Sequence, residues 1–533
     1  MYKPFPGAEM LPIPDDVQAM YDWAASKGVK WPKIYYPVRF PPGYIGTIAT
    51  DTIGPNETVV SAPNDCLLTT KVAYNSELKS IYDAHPNLFS EDAASYDDVV
   101  IGTFIIYEKS KGSKSEWAPF LAYQPRDPSN IQDWASEDVK ELQDEDLIYD
   151  TEKSLESHVK LWNEWKSTLE KYPDKFTGEM LEYKEFTWAV RLIGTRTFGK
   201  FAPYTTFFPV GELLNHDNVE TYYIYLGLGE TADATQRYSG IVDDEDHDAR
   251  IYQKNPSIEL GNEGLAVINY LLNDASDERS FNKIKEKSAE LDNEELKAYK
   301  KRRAYRPPGM DLTESSSKEI RQVTGPNETY EKGSEVYMSY GRNSNRQLLS
   351  VYGFSLKTNH FNFAILKTSV KSLLENPDLA SKLEVQDFSA EVLVHFKLKE
   401  KVLAVNFLKV IRKLWWKNGQ PIEAFFKPLI LDNELRILTR AQELLLNYLN
   451  SFQTTYEEDV EMLKENLPLR KMFAVIYRSQ VKEIIKNQIE YLEGALRFVT
   501  EYSLSKDVDR AEEVNSEGKV RNALKDYVAE FRS

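Results

Sequence analysis

Cysteine is almost missing from this chain of 533 residues: Cys66 stands alone. An intramolecular disulfide is therefore excluded, as is a thiolate-built zinc cluster, and a reducing compartment suits such a chain. The six histidines, His85, His158, His216, His247, His360 and His395, show none of the spacings by which imidazoles share a metal, so no metal is expected. Long basic blocks are missing too, beyond Lys300-Lys301-Arg302-Arg303. The 66 Lys and Arg face 84 Asp and Glu, a net charge of −18. A surface this acidic repels phosphate backbones, so nucleic acid is not an expected partner, whereas a basic peptide suits it. No apolar run reaches the length of a membrane span, and no membrane partner is expected. The opening Met1-Tyr2-Lys3-Pro4-Phe5-Pro6-Gly7 lacks both an apolar core and an Arg-rich amphipathic pattern, which points to a cytoplasmic location, with nuclear or cytoskeletal/ciliary placement as alternatives. No fixed-period repeat is present, so a solenoid is not indicated.

What is present is enough chain for two or three domains with real cores. Between 34 and 70 short β-patterned runs alternate with turn residues: Val38-Arg39-Phe40, then Pro41-Pro42-Gly43, then Ile45 to Thr50, then Gly54-Pro55-Asn56, then Thr58 to Ser61. From about 71 to 195 the pattern is helical, with Leu155, Val159, Trp162, Trp165 and Leu169 at helical spacing, and Phe186, Val190 and Ile193 likewise. Strand-like sequence returns over 207–214, 221–228 and 335–339. Residues 217–332 form a long block, acidic at Asp243-Asp244-Glu245-Asp246 and densely charged over 277–303, which reads as a solvated surface helix or a partner-facing insertion. From about 370 onward the chain is strongly helical. Leu403, Phe407, Val410 and Leu414 mark one apolar face, and Leu435, Leu438, Ala441, Leu445 and Leu449 a second. A third and longer face carries Ala474, Tyr477, Val481, Ile484, Ile485, Gln488, Ile489, Leu492 and Leu496. A polar stretch near 503–519 precedes a last short helix.

Two segments carry chemistry. One runs from Gly333 through Ser339-Tyr340-Gly341 to Ser344-Asn345 and Tyr352-Gly353-Phe354: a strand, a Ser/Asn turn, a short helix and a second aromatic-glycine-aromatic step. The other is Gly211-Glu212-Leu213-Leu214-Asn215-His216. Together they resemble the two signature segments of SET-domain protein methyltransferases. Further segments match in order the subclass that includes the Rubisco large-subunit and actin-histidine methyltransferases. These are Gly46 to Thr50 with Ile53 and Glu57; Trp117-Ala118-Pro119-Phe120; Phe186 to Val190 followed by Thr195-Arg196; and Thr454 to Asp459 with Leu463, Leu469-Arg470, Ala474 and Tyr477-Arg478. Singly each is weak; in this order, over about residues 35–500, they are specific.

The resemblance implies an α+β fold, a SET β-fold with a pseudoknot and a helical insert, followed by an all-α substrate-binding domain. Its expected divisions are 1–110, 111–195, 196–365 and 366–533. It also implies S-adenosylmethionine as cofactor and a protein lysine as acceptor. On it, Tyr340 is the catalytic phenol at the transfer point. Gly46, Ile48, Arg196, Asn215, His216 and Ser344 are the cofactor positions, with Arg196 suited to a carboxylate. Phe198, Gly211, Tyr352 and Phe354 are the acceptor channel; an aromatic at 198 and a small residue at 211 are the lysine-type choices. Outside the resemblance each residue has a plainer reading: a core tyrosine, a capping Asn beside a satisfied histidine, a surface arginine, a turn glycine, packed aromatics. Three departures stand out: Tyr44-Ile45-Gly46 where Gly-x-Gly is usual, Glu212 where Asp is usual, and the long 217–332 block. They leave open a second reading, a catalytically inactive SET-fold scaffold within a protein assembly.

Overall fold

The computed structural model describes residues 1–198, 205–225, 237–239, 319–374, 393–415, 424 and 427–532, positions 94, 127, 129, 342 and 516–517 apart. The charged segments 243–246 and 277–303 lie outside the described residues, as does the 226–228 end of the strand expected over 221–228.

Among the described residues are fourteen short strands, β1 to β14 in chain order. The first sheet is β1 (Glu9–Met10), β2 (Ile34–Phe40) and β3 (Tyr44–Ala49), all antiparallel. Its β2–β3 turn uses Gly43 at φ 139°, a value side chains resist. The second sheet runs in the order β10 (Arg237–Ser239), β9 (Thr221–Tyr225), β11 (Glu319–Thr324), β4 (Thr58–Pro63). A third joins β5 (Leu68–Thr69), β7 (Thr206–Phe207) and β6 (Thr197–Phe198). The pair β8 (Asn215–His216) and β12 (Tyr337–Met338) is parallel, and the hairpin β13 (Phe363–Ser369) with β14 (Leu393–Lys399) closes the set.

Eight helices matter below: α1 (Asp15–Ser26), α2 (Tyr96–Ser110), α3 (Glu145–Leu169), α4 (Tyr183–Arg196), α5 (Asn345–Tyr352), α6 (Val405–Trp415), α7 (Leu431–Asn450) and α8 (Leu469–Ser505). Val99, Val100, Ile101, Phe104, Ile105 and Ile106 are all buried on α2, so this helix is apolar on most sides and lies inside the first core rather than on it. That core joins α1, α2 and α4 to β4, β5 and β7. Each large side chain fully withdrawn from water there contributes about 1.5–3 kcal/mol. A second core gathers α6, α7 and α8 with the β13–β14 hairpin.

Several expectations change. The chain after 370 is not wholly helical, because Leu393–Lys399 pairs residue for residue with Phe363–Ser369. Alternation of Leu393, His395 and Lys397 with Val394, Phe396 and Leu398 is a period-two pattern, and it outweighs the helical surroundings. The 207–214 run is a strand only at Thr206–Phe207; Gly211–Leu213 is a 3₁₀ turn, since Pro209 removes a ladder donor and Val210 sits at φ 68°. Only Tyr337–Met338 of 335–339 is strand. Val159 is exposed on α3 although it falls at helical spacing. The polar 503–519 stretch holds a helix, Val508–Glu513, whose first amides bond the Asp507 carboxylate.

Buried charge fastens the second core, whose Leu142, Leu147, Leu349 and Tyr477 flank the groups involved. Asp459, Arg478 and Lys482 are completely buried; Asp459 accepts from Arg478 Nε at 2.8 Å, from Lys482 Nζ and from Thr454 Oγ1 at 2.8 Å. Arg478 also bonds the Glu141 carboxylate at 2.8 Å. Arg346 on α5 grips Asp144 at 3.1 Å and Asp150 at 2.6 Å, and Asp144 accepts from Tyr477 on α8 as well.

Candidate active site

The parallel β8–β12 pair brings the two chemically marked segments side by side, Tyr337 opposite Asn215 and Met338 opposite His216. What precedes β8 is strained. Val210 is buried at φ 68°, ψ −40°, a conformation costing on the order of 1–3 kcal/mol for a β-branched residue. Gly211 follows because a Cβ there would lie 2.8 Å from the Phe208 ring.

Two residues beyond β12's pairing with His216, the chain turns back onto that histidine. The Tyr340 N–H lies 3.0 Å from His216 Nδ1, and the Met338 carbonyl lies 3.2 Å from the same nitrogen, so two backbone groups fix the ring. Burial lowers the imidazole pKa to about 4, keeping it neutral. Its Nε2 is buried and has no hydrogen-bond partner among the described residues. The Tyr340 ring stacks on this imidazole at 5.0 Å, and its hydroxyl donates to the Leu214 carbonyl at 3.0 Å. Burial lifts the phenol well above its ordinary range, the positive charge of Arg196 pulling the other way, so the proton stays on oxygen. Arg196, at the end of α4, makes no hydrogen bond or ion pair among the described residues.

Around Tyr340 stand more rings. Tyr352 lies 4.7 Å away and Phe354 6.4 Å, with Tyr352 and Phe354 6.1 Å from each other. Helix α5 sets this spacing. Ser344 caps its start by accepting from the Gln347 amide, and Gly353 ends it at φ 76°. Burial pushes the Tyr352 phenol up to about 12.

On the opposite side of β8 is a hub that the sequence did not reveal. The buried Glu335 carboxylate accepts from Asn215 Nδ2 at 2.9 Å, Tyr44 Oη at 2.8 Å and Tyr337 Oη at 2.9 Å. Burial raises its pKa against the pull of these three donors. Asn215 Nδ2 also reaches the Ile45 carbonyl at 3.0 Å. An acid on a run of alternating residues reads as a solvent position, so only the geometry exposes it.

Residues 409–485 match the family model for the Rubisco LSMT substrate-binding domain. The protein SET DOMAIN GROUP 40 of Arabidopsis thaliana is 28% identical over 166 residues, 30% of this chain and 32% of that protein. The chloroplastic ribulose-1,5 bisphosphate carboxylase/oxygenase large subunit N-methyltransferase of Nicotiana tabacum is 22% identical over 214 residues, 38% of this chain and 40% of that one. The aligned segments thus span about a third to two fifths of these curated relatives. Two solved structures cover the chain almost end to end. The SET domain of LSMT bound to lysine and AdoHcy has a TM-score of 0.53 at 16% identity, covering 96% of this chain and 98% of that one. Rubisco LSMT bound to sinefungin and monomethyllysine has a TM-score of 0.54 at 16% identity, with 96% of each covered. The chain has the SET fold of these structures.

Within that SET fold the anticipated site residues separate into three groups. Tyr340, His216, Tyr352 and Phe354 come together directly, and the effect of Arg196 on the phenol places its charge nearby. Gly46, Ile48 and Asn215 meet around Glu335 instead. A Cβ on Gly46 would fall 2.4 Å from Asn215 Nδ2 and 2.7 Å from Glu335 Oε1, so the chain's own side chains already require this glycine. Ile48 is buried and bridges to Glu335 through its backbone. Ser344, Gly211 and Phe198 have packing duties. The Ser344 hydroxyl is fully buried as the α5 cap, Gly211 lies under Phe208, and the Phe198 ring is 5.7 Å from Phe208. Glu212 is buried on that turn, one oxygen accepting from Gln124 at 2.7 Å and the other without a partner among the described residues; burial pushes its carboxyl well above the usual range.

Proposed function

We propose that this protein is an S-adenosylmethionine-dependent protein-lysine N-methyltransferase. The observation that carries the reading is the β8–β12 pairing, which stacks Tyr340 on His216, fixes its hydroxyl on the Leu214 carbonyl and surrounds it with Tyr352 and Phe354. The residues fit a sulfonium donor with an amino-acid tail. Among the described residues Arg196 is an uncommitted guanidinium suited to a carboxylate and the buried His216 Nε2 has no hydrogen-bond partner, while the ring faces favour a cation.

The bound cofactor would supply an electrophilic methyl group. The chain's own part is to orient and desolvate. An acceptor lysine, with an ordinary pKa near ~10.4, must lose its proton to react. Aromatic walls disfavour its charged form by excluding water. The Tyr340 hydroxyl, protonated throughout, marks the place to which the amine is directed, and alignment of this kind supplies up to about 7–11 kcal/mol of a barrier reduction. The structural neighbours bound to lysine and monomethyllysine, and the LSMT-type domain at 409–485, support a protein lysine as the acceptor.

One observation favours a second reading, a SET-fold scaffold without transfer activity. The Asn215 carboxamide is already committed to Ile45 and Glu335, and Tyr44 reaches the same carboxylate. Calorimetry with S-adenosylmethionine separates the two. A binder at 100 Kd of ligand gains about 2.7 kcal/mol of stability, whereas no thermal shift at millimolar ligand leaves the scaffold. With binding established, Tyr340→Phe is expected to keep cofactor affinity and lose methyl transfer to protein substrates, read by tritium incorporation. Transfer at the parental rate would remove Tyr340 from the chemistry.

A further inference from the structure

Helix α8 belongs to the second core, yet one of its faces is applied to the ring cluster. Phe473, Tyr477 and Gln480 fall at i, i+4 and i+7 and therefore share a side of the helix. Gln480 accepts from Asn345 Nδ2 at 2.8 Å and Asn362 Nδ2 at 2.7 Å, and donates to the carbonyls of Leu356 at 2.8 Å and Lys357 at 2.6 Å. Tyr477 bonds Asp144, the carboxylate that also holds Arg346 of α5. Phe473 meets Phe354 edge-on at 6.2 Å. The C-terminal helix thus clamps the first turn of α5 and the segment that follows it, and extends the rings around Tyr340 by one more.

Phe473 is one ring further out than Phe354. Two successive contacts, 6.4 Å from Tyr340 to Phe354 and 6.2 Å from Phe354 to Phe473, separate it from the phenol. An acceptor side chain with its nitrogen at Tyr340 would have its own backbone, and the residues beside it, near Phe473. Tyr352, Phe354 and Phe473 are all partly exposed, Phe473 while packing against the second core, so the rim they form is apolar. The nearest cations on the helix are neutralised: Lys471 pairs with Glu141 at 2.7 Å and Arg470 with Asp138 at 3.9 Å. The rim therefore offers a flanking residue a ring surface, and ring pairs of this kind are worth about 0.5–1.5 kcal/mol beyond area burial.

We infer that Phe473 is a specificity-determining residue for the acceptor, selecting lysines flanked by an aromatic side chain. The inference rests on the lysine methyltransferase reading above. Its test uses the full chain saturated with AdoHcy and two probes, Ac-Ala-Lys-Ala-NH₂ and Ac-Phe-Lys-Phe-NH₂, titrated by calorimetry. The parent is expected to bind the aromatic peptide at least fivefold more tightly. Phe473→Ala should bring that ratio near one, Phe473→Tyr should restore it, and AdoHcy affinity should be equal in all three. A merely structural role for Phe473 would not move the ratio between peptides. Should AdoHcy bind while the parent shows no preference, or Phe473→Ala keep it, this inference alone is overturned. Should AdoHcy fail to bind the parent, the transferase reading falls and takes the inference with it.

Discussion

At the scale of single residues, the site depends on two buried groups whose duties differ. Tyr340 keeps its proton because burial disfavours phenolate, and its hydrogen bond to Leu214 fixes where the oxygen lies. Glu335 receives three donors and holds β3, β8 and β12 in one register. Replacing it with Gln turns an NH₂ toward at least one of those donors, and an unsatisfied buried polar group costs about 1–3 kcal/mol. Glu335→Gln is therefore expected to lower chemical-denaturation stability by that amount; an unaltered midpoint would show the hub to be dispensable. Glu328 gives a pH prediction. Burial raises its pKa to about 7, with Tyr330 and the Glu220 amide opposing. Between the ordinary carboxylate range and pH 7 the unfolded chain has released this proton and the folded chain has not, so stability falls as pH rises through that window. Thermal melts from pH 5 to 8 should slope downward, and Glu328→Gln should flatten part of the slope.

At the scale of elements, the buried triad on the 454–482 segment governs how α8 is seated. Asp459 neutralises Arg478 and Lys482 with no access to water. Its removal strands the buried Lys482 and leaves Arg478 with Glu141, a loss of about 3–5 kcal/mol. Asp459→Ala should show it in urea unfolding, and addition of Lys482→Met should recover part of the loss, since one stranded charge is then gone. Much of this level was legible in the sequence. Helix α5 announced itself by Ser344 at one end and Gly353 at the other, and α8 by a long apolar periodicity. Tyr340 and the Asn215-His216 pair were legible through the order of their motifs. The β14 strand was hidden because its period-two pattern is short and lies among helices. Glu335, Phe473 and Gln480 were hidden for another reason. Their partners are distant in sequence, and nothing local distinguishes a buried hub acid, a rim phenylalanine or a clamping glutamine from ordinary surface and core residues.

At the scale of the whole molecule, two cores meet where Asp133, beside Ile131 and Trp134 of the second, bonds Arg191 of α4 in the first at 2.9 Å, and α8 fastens the adjoining 141–144 segment. If that binding makes them one cooperative unit, the parent should melt in a single calorimetric transition. A Tyr477→Phe, Gln480→Ala double variant, which unfastens α8 from Asp144 and from the 356–357 backbone, should broaden or split it; a single sharp peak in the double variant would show the cores to be joined elsewhere. The net charge of −18 bears on partners rather than fold, and the apolar rim beside Phe473 shows that a local surface need not follow the global sign.

Helix α5 has a consequence for tolerance to length change. Bounded by a serine lock and a left-handed glycine, it acts as a ruler between the phenol on one side and the wall rings on the other. Each residue added to a helix turns everything after it by about 100° and advances it about 1.5 Å. One alanine slipped in between Asn345 and Tyr352 would therefore swing Tyr352 and Phe354 off Tyr340 and dismantle the aromatic enclosure, although every side chain that forms it would still be in the chain.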